Sequence, residues 1–210
     1  MSNGPFIVFE GLDGSGTTTQ AELLKGWIED IGGKRVYLTR EPTGGPVGSL
    51  IQQALKKRVK LSFQTLALLF AADRLDHIEW EIKDKLSNNI PVICDRYYLS
   101  SFAYQLLEAP DDLPWLESLN AKAITPDLTI LLDVPAEVCM DRIKKTRWQM
   151  ELFEELDRLK AIRENYLQLA RGPRSQTERI VVINGDRPLH DVQTEIQSII
   201  RHELDFDIDV

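Results

Sequence analysis

The stretch Gly11-Leu12-Asp13-Gly14-Ser15-Gly16-Thr17-Thr18-Thr19-Gln20 constrains this chain more than any other. A short apolar run, Phe6-Ile7-Val8-Phe9, comes before it, and Leu23, Leu24, Trp27, Ile28 and Ile31 recur at helical spacing after it. Strand, glycine-rich turn and helix in that order make a phosphate-binding loop. Gly11, Gly14 and Gly16 let the backbone turn its N–H groups toward an anion, and the helix N-terminus adds about half a positive charge there. Asp13, Ser15 and Thr19 complete the predicted cradle, and Thr18 is placed to offer a hydroxyl to Mg²⁺. One position departs from the usual motif: Thr17 stands where a lysine belongs. A dinucleotide-binding fingerprint fits less well, because it needs a third small residue at Thr19 and an acid about twenty residues further on.

Five strand-like runs, at 5–10, 35–39, 90–95, 127–133 and 179–184, alternate with segments of helical period. The helices are expected at 18–31, 46–57, 62–87, 101–109, 114–124, 136–147, 149–171 and 188–203. Gly32-Gly33, Pro91, Pro110 and Pro126 punctuate the pattern where elements should start or stop. This alternation predicts an α/β fold, a three-layer α/β/α arrangement around a five-stranded parallel sheet. Its length of 210 residues suits one domain. Charged residues balance to −8, so the surface repels polyanions, and neither a nucleic-acid polymer nor an anionic membrane is an expected partner. Cys94 and Cys139 have neither disulfide-framework nor zinc spacing and read as small core residues in a reducing compartment. With no signal-like N-terminus and no 18-residue apolar stretch, the expected location is the cytoplasm.

The polar clusters fall after strands, where open α/β sheets bind ligands. Thr39-Arg40-Glu41-Pro42-Thr43-Gly44-Gly45 can present the Arg40 guanidinium to a phosphate. Val92-Ile93-Cys94 ends in Asp95-Arg96-Tyr97: an aspartate there suits Mg²⁺ held through water, and Arg96 can bridge donor and acceptor phosphates. Phe70 and Arg74, four apart, share one helical face, so a ring and a guanidinium could stack on a base and bond its edge. Ser100-Ser101-Phe102-Ala103-Tyr104-Gln105 adds hydroxyls, a phenol and an amide just beyond.

Together these stretches resemble the thymidylate kinase family of P-loop nucleoside monophosphate kinases. The resemblance is carried most specifically by Asp95-Arg96-Tyr97-x-x-Ser100-Ser101-x-Ala103-Tyr104-Gln105 and Arg40-Glu41-Pro42. Leu68-Leu69-Phe70-Ala71-Ala72-x-Arg74 and Pro126-Asp127-Leu128-x-x-x-Leu132-Asp133 support it, and it runs from Phe9-Glu10-Gly11 to the last helix. It implies Mg²⁺-dependent transfer of the ATP γ-phosphate to dTMP, giving dTDP on the way to dTTP. On that pattern Phe70 stacks on thymine, and Arg74, Gln105, Ser100 and Ser101 read the base. Tyr104 packs on the deoxyribose, and Arg40 and Arg96 hold the acceptor phosphate. Asp13 lies near the sugar and Arg40, Asp95 orients Mg²⁺ waters, and Arg142 packs on adenine. The resemblance further implies a monophosphate-binding region at about 40–110 and a lid at about 144–153. A homodimer contact is implied through the 62–87 helix, whose apolar residues exceed what one face needs.

The lid is short for the family, and Lys144-Lys145-Thr146-Arg147 begins it. Thr17 is the larger departure, since the missing lysine would stabilise charge that moves during transfer. Three readings stay open. A neighbouring cation such as Lys144, Lys145 or Arg147 compensates, which puts Arg147 beside Asp95, Arg96 and Asp13 as a catalytic candidate. Alternatively, the chain binds nucleotides with little turnover in a regulatory or interaction role, or it phosphorylates another monophosphate. His77 reads as a satisfied helix residue, and His190 and His202 lack partners at metal spacing. The Asn184-Gly185-Asp186-Arg187-Pro188 turn follows the fifth strand, where such loops often line an adenine pocket.

Overall fold

The computed structural model describes residues 3–33, 35–146 and 152–204. Its centre is β1 (Phe6–Gly11), buried along its whole length. Such a continuously apolar strand requires cover on both faces, and the side-chain alternation of a strand supplies it. Phe6 and Val8 join one core cluster, with Leu159, Ile162 and Tyr166. Ile7 and Phe9 join the other, with Leu24, Ile28, Val192, Ile196 and Ile200. These two cores separate three layers.

The strands β2 (Tyr37–Arg40), β3 (Val92–Asp95), β4 (Leu128–Asp133) and β5 (Ile180–Asn184) complete a parallel sheet of order β2-β3-β1-β4-β5. α1 (Thr17–Gly32) and α9 (Leu189–Glu203) cover the face of Ile7. α5 (Tyr98–Gln105), α7 (Ala136–Thr146) and α8 (Leu152–Arg171) pack on the face of Phe6, with α2 (Pro46–Leu55), α3 (Phe63–His77), α4 (Lys83–Ser87) and α6 (Leu113–Leu119) beyond β2 and β3 or at that side. After β3 the chain crosses to the far side of β1. The carboxyl ends of β3, β1 and β4 therefore frame the crevice where such sheets bind ligands. Register fixes its contents: Phe9 lies beside Asp95, and Arg40 lies on the other side of Asp95.

The 62–87 segment is not the single α-helix the sequence suggests. Ser62 caps α3 by accepting from the Thr65 N–H at 3.1 Å, and a π-helical turn, Ile78–Ile82, interrupts the run before α4. Ile78, Ile82 and Leu86 recur every four residues and are all buried. Trp80 is left 78 % exposed. Among the described residues, no helix is long and apolar enough to cross a membrane. Arg147, the middle of the expected lid and the acidic tail at 205–210 lie outside the described residues.

Candidate active site

Among the clefts that open at the carboxyl ends of the strands, two share Asp13 and Arg96. The larger, about 610 Å³, is cupped by the glycine-rich turn. Gly14 and Gly16 have φ of 83° and 100°, backbone that side chains with a Cβ rarely adopt. A Cβ on Gly14 would also stand 2.7 Å from the Cys139 carbonyl oxygen. Gly11 does not line this cleft; a Cβ on it would stand 2.7 Å from Ser15 Oγ and 2.9 Å from the Leu132 carbonyl oxygen. Its contribution is close packing beneath the turn. α1 begins at Thr17 with no side-chain cap and no acid in its first turn, so its leading N–H groups are left for an anion. Ser15 Oγ is buried there without a hydrogen-bond partner among the described residues. Thr17 is buried, while Thr18 and Thr19 are exposed to the cleft.

Thr18 Oγ1 donates to Asp95 Oδ2 at 2.5 Å, so the two predicted metal-side groups do meet. The other oxygen, Asp95 Oδ1, is buried and has no partner among the described residues. A hydroxyl and an acceptor-only carboxylate oxygen left unpaired beside an anion cradle form the oxygen-donor set a hard divalent cation takes, directly or through water. This chemistry fits Mg²⁺.

Arginines line the same cleft. The side chain of Arg40, at the exposed end of β2, makes no hydrogen bond or ion pair among the described residues. Arg142 Nη1 donates to the carbonyl oxygens of Gly14 and Ser15, both at 3.3 Å, and its Nη2 is 3.8 Å from Asp186 Oδ1. Arg187 from the turn after β5 also lines the cleft, tied to Glu195 and to the Asn184 carbonyl. Of the cations proposed to replace the lysine, Lys144 is exposed and 3.7 Å from Asp141; nothing is described for the Lys145 side chain.

The second cleft, about 360 Å³, is lined by Phe70, Arg74, Ser101, Tyr104 and Gln105. Most of its exposed wall is apolar, but charged and polar residues, Asp13, Glu41, Arg96 and Glu108 among them, also line it. Gln105 Nε2 is buried in this wall without a partner among the described residues. Asp13 and Arg96 line both clefts. Arg96 donates from Nη2 to Asp13 Oδ1 at 2.8 Å and from Nη1 to Ser100 Oγ at 3.3 Å, and its guanidinium carbon lies 5.4 Å from the Tyr104 ring centroid. The Asp13 N–H donates to Tyr104 Oη at 3.1 Å. Burial disfavours the Arg96 charge, but Tyr104, Tyr166, Asp13 and Glu10 around it hold its pKa well above the ordinary value. Burial likewise pushes the Tyr104 phenol up.

Asp13 lines the same cleft as Arg40, and its carboxylate pairs with Arg96. Two expectations need correction. Ser100 does not stand ready for a base: its hydroxyl is spent on Glu10, Arg96 and Tyr166. Arg74 is only 1 % exposed, with Nε on Glu41 Oε2 at 2.9 Å, Nη2 on Ser101 Oγ at 3.1 Å and Nη1 on Asn120 Oδ1. Its guanidinium braces the wall of the second cleft more than it reaches into it. Ser101 is accordingly an acceptor for Arg74. His77 is satisfied as expected, by Thr39 Oγ1 at 2.8 Å and Glu41 Oε1 at 3.1 Å.

The sequence motifs contain Glu41 and Glu10 but assign neither a role, and Asn120 lies in none of them. Glu41 was in plain view beside Arg40, where a surface ion pair is the commoner meaning. Glu10 carried a signal, a carboxylate inside a wholly apolar strand. Asn120 carried none, because it gains its role only when α6 packs near α3.

A phosphate-cupping turn, a hydroxyl–carboxylate pair and a second cleft joined through one arginine fit a P-loop phosphotransferase. The family model described as thymidylate kinase matches residues 9–196. The chain is 41 % identical over 206 residues to a probable thymidylate kinase of Pyrococcus horikoshii, covering 96 % of this chain and 98 % of the relative. It is 36 % identical over 202 residues to a probable thymidylate kinase of Methanocaldococcus jannaschii, with coverage of 96 % and 98 %. A probable thymidylate kinase of Pyrobaculum calidifontis is 39 % identical over 200 residues, with coverage of 95 % and 97 %. The chain belongs to the thymidylate kinase family.

Proposed function

We propose that this protein transfers the γ-phosphoryl group of ATP to dTMP, giving dTDP and ADP, as a cytoplasmic enzyme of dTTP synthesis. One observation carries the reading beyond family membership: Asp13 and Arg96 line both the phosphate-cupping cleft and the apolar cleft, so the two meet at a guanidinium. Donor and acceptor phosphates entering from opposite sides would meet there.

The base enters the smaller cleft against Phe70. Gln105 Nε2, an unpaired buried donor, calls for an acceptor on the base edge, which a pyrimidine carbonyl supplies. Tyr104, held by the Asp13 N–H, packs beside the sugar. Arg96 and the uncommitted Arg40 hold the acceptor phosphate. That phosphate oxygen is the nucleophile and is ionised near neutral pH, so no general base is required. Its attack on the γ-phosphorus forms a new P–O bond while the bond to the β-phosphate oxygen breaks and ADP leaves. The N–H groups of the glycine turn and of the start of α1 cradle the donor phosphates, and Arg142 stands over that turn toward the adenine side. Mg²⁺, held at Thr18 and Asp95, would neutralise charge on the β- and γ-phosphate oxygens.

We further propose a homodimer. Leu68 and Leu75, seven residues apart on one face of α3, are 52 % and 41 % exposed, and Trp80 in the following π-helical turn is more exposed still. Burying them against a second copy would remove an apolar patch of the kind that marks interaction sites.

The test is ADP release, coupled to a spectroscopic readout, with ATP, Mg²⁺ and dTMP. Turnover with dTMP above that with dCMP supports the reading. Calorimetric binding of dTMP with no ADP release refutes the transfer, and absence of dTMP binding refutes the substrate.

A further inference from the structure

Glu10 lines neither cleft and is fully buried at the centre of the sheet, where an unpaired carboxylate would be prohibitively costly. The costs are met by four donors from two elements. Oε1 accepts from the N–H groups of Tyr97 at 3.0 Å and Ser100 at 3.2 Å. Oε2 accepts from Tyr166 Oη at 3.2 Å and from Ser100 Oγ. Tyr97 is the N-terminal flanking residue of α5 and offers that helix no side-chain cap. The carboxylate of β1 therefore caps α5 from the strand that the helix packs on, with the charge sign that a helix N-terminus favours.

Between β3 and α5 stands Arg96 with its left-handed backbone. A non-glycine residue persists in that region only where its surroundings over-determine it. Here the Arg96 N–H donates to the Phe9 carbonyl oxygen at 2.8 Å, and the next N–H, that of Tyr97, donates to Glu10. Both flanking peptides are thus pinned to consecutive residues of β1. The side chain is pinned as well: Ser100 Oγ donates to Glu10 and accepts from Arg96 Nη1. Charge, backbone and hydroxyl relay all converge on the direction of one guanidinium.

We propose that Glu10 is a positioning residue that aims Arg96 at the acceptor phosphate. This rests on the dTMP reading above. Glu10 touches no substrate; its effect passes through Arg96 and is specific to the phosphate. A cap that merely stiffened α5 would act on the whole nucleotide instead, because Ser101, Tyr104 and Gln105 of α5 wall the base cleft.

The experiment is a double-mutant cycle read by titration calorimetry with dTMP and with thymidine, the same ligand lacking the phosphate. Glu10→Gln puts an amide donor among four donors and should weaken dTMP about tenfold or more while leaving thymidine within about twofold. In an Arg96→Ala background, Glu10→Gln should change dTMP binding by no more than about twofold. Ser100→Ala keeps the N–H bonds to the carboxylate but cuts the relay. It should give the same phosphate-specific loss in smaller measure, which covers the case in which Glu10→Gln does not fold. Equal losses for thymidine and dTMP, or the same loss of dTMP affinity with and without Arg96, overturn the positioning role. A wild type that fails to bind dTMP overturns the functional reading, and the inference falls with it.

Discussion

Replacing Thr17 by lysine asks how this site manages without an ammonium on the donor phosphates. A unit charge about 4 Å from charge that moves in transfer is worth about 4 kcal/mol at an effective dielectric near 20. Missing entirely from the transition state, that would slow the reaction about a thousandfold. The cleft, however, is lined by Arg40, Arg96, Arg142 and Arg187. A guanidinium about 8 Å away contributes about 2 kcal/mol on the same scale, so two of them recover what one lysine supplies. Arg40 is the best placed of the four to follow a phosphate, since its side chain has no partner among the described residues and it stands beside Asp95 in the sheet. Thr17→Lys is therefore expected to raise kcat by less than about tenfold in the ADP-release assay at saturating ATP and dTMP. Arg40→Ala should cost more in the natural Thr17 background than in Thr17→Lys. A gain of a hundredfold or more, with equal Arg40→Ala costs in the two backgrounds, would refute compensation by the arginines.

Asp95→Asn leaves the Thr18 hydroxyl an amide carbonyl but removes the carboxylate charge, so it should abolish the extra thermal protection that Mg²⁺ adds to ATP and lower kcat by about a hundredfold or more. Leu24→Ala, emptying a fully buried site between α1 and the sheet, should lower stability by about 2–5 kcal/mol in urea unfolding with turnover per folded molecule little changed. Burial raises the Glu10 pKa above 4.5, against the Ser100 hydrogen bonds and the Arg96 charge. Its contribution to stability is fully present below the unfolded value and is lost as pH rises through the folded one. The stability difference between wild type and Glu10→Gln should thus move in favour of wild type as pH is lowered from 7 toward 4.5; urea titrations that move the other way would contradict the burial. Burial also pushes the Cys139 thiol to about 11, and Cys94 is fully buried, so a thiol reagent at pH 8 should label neither until the protein unfolds.

The strands and the phosphate-binding turn were legible because their signals are short-range. Glycines two and three positions apart, an apolar run ahead of them and helical periodicity after them need no knowledge of the rest of the chain. Five parallel strands then follow from alternation alone, and the placement of Thr18 beside Asp95 follows from strand ends that any such sheet brings together. The predicted 62–87 helix failed locally, since a π turn differs from an α turn by one residue and leaves the apolar pattern nearly intact.

What a motif residue does with its hydrogen bonds is another matter. Ser100 reads as a ligand hydroxyl until Glu10, 90 positions earlier, takes it. Arg74 reads as a hand for the base until Glu41 and Asn120 close on it from 33 and 46 positions away. Asp13 pairs with Arg96, whose left-handed backbone is held by a bond to β1 that no local signal foretells. Residue types and their spacing determined that this chain would fold around a glycine-rich turn beside an arginine-lined cleft. Which polar atoms stayed unspent, Asp95 Oδ1 and Gln105 Nε2 among them, was decided only when distant elements packed, because a hydrogen bond is allotted by proximity in space.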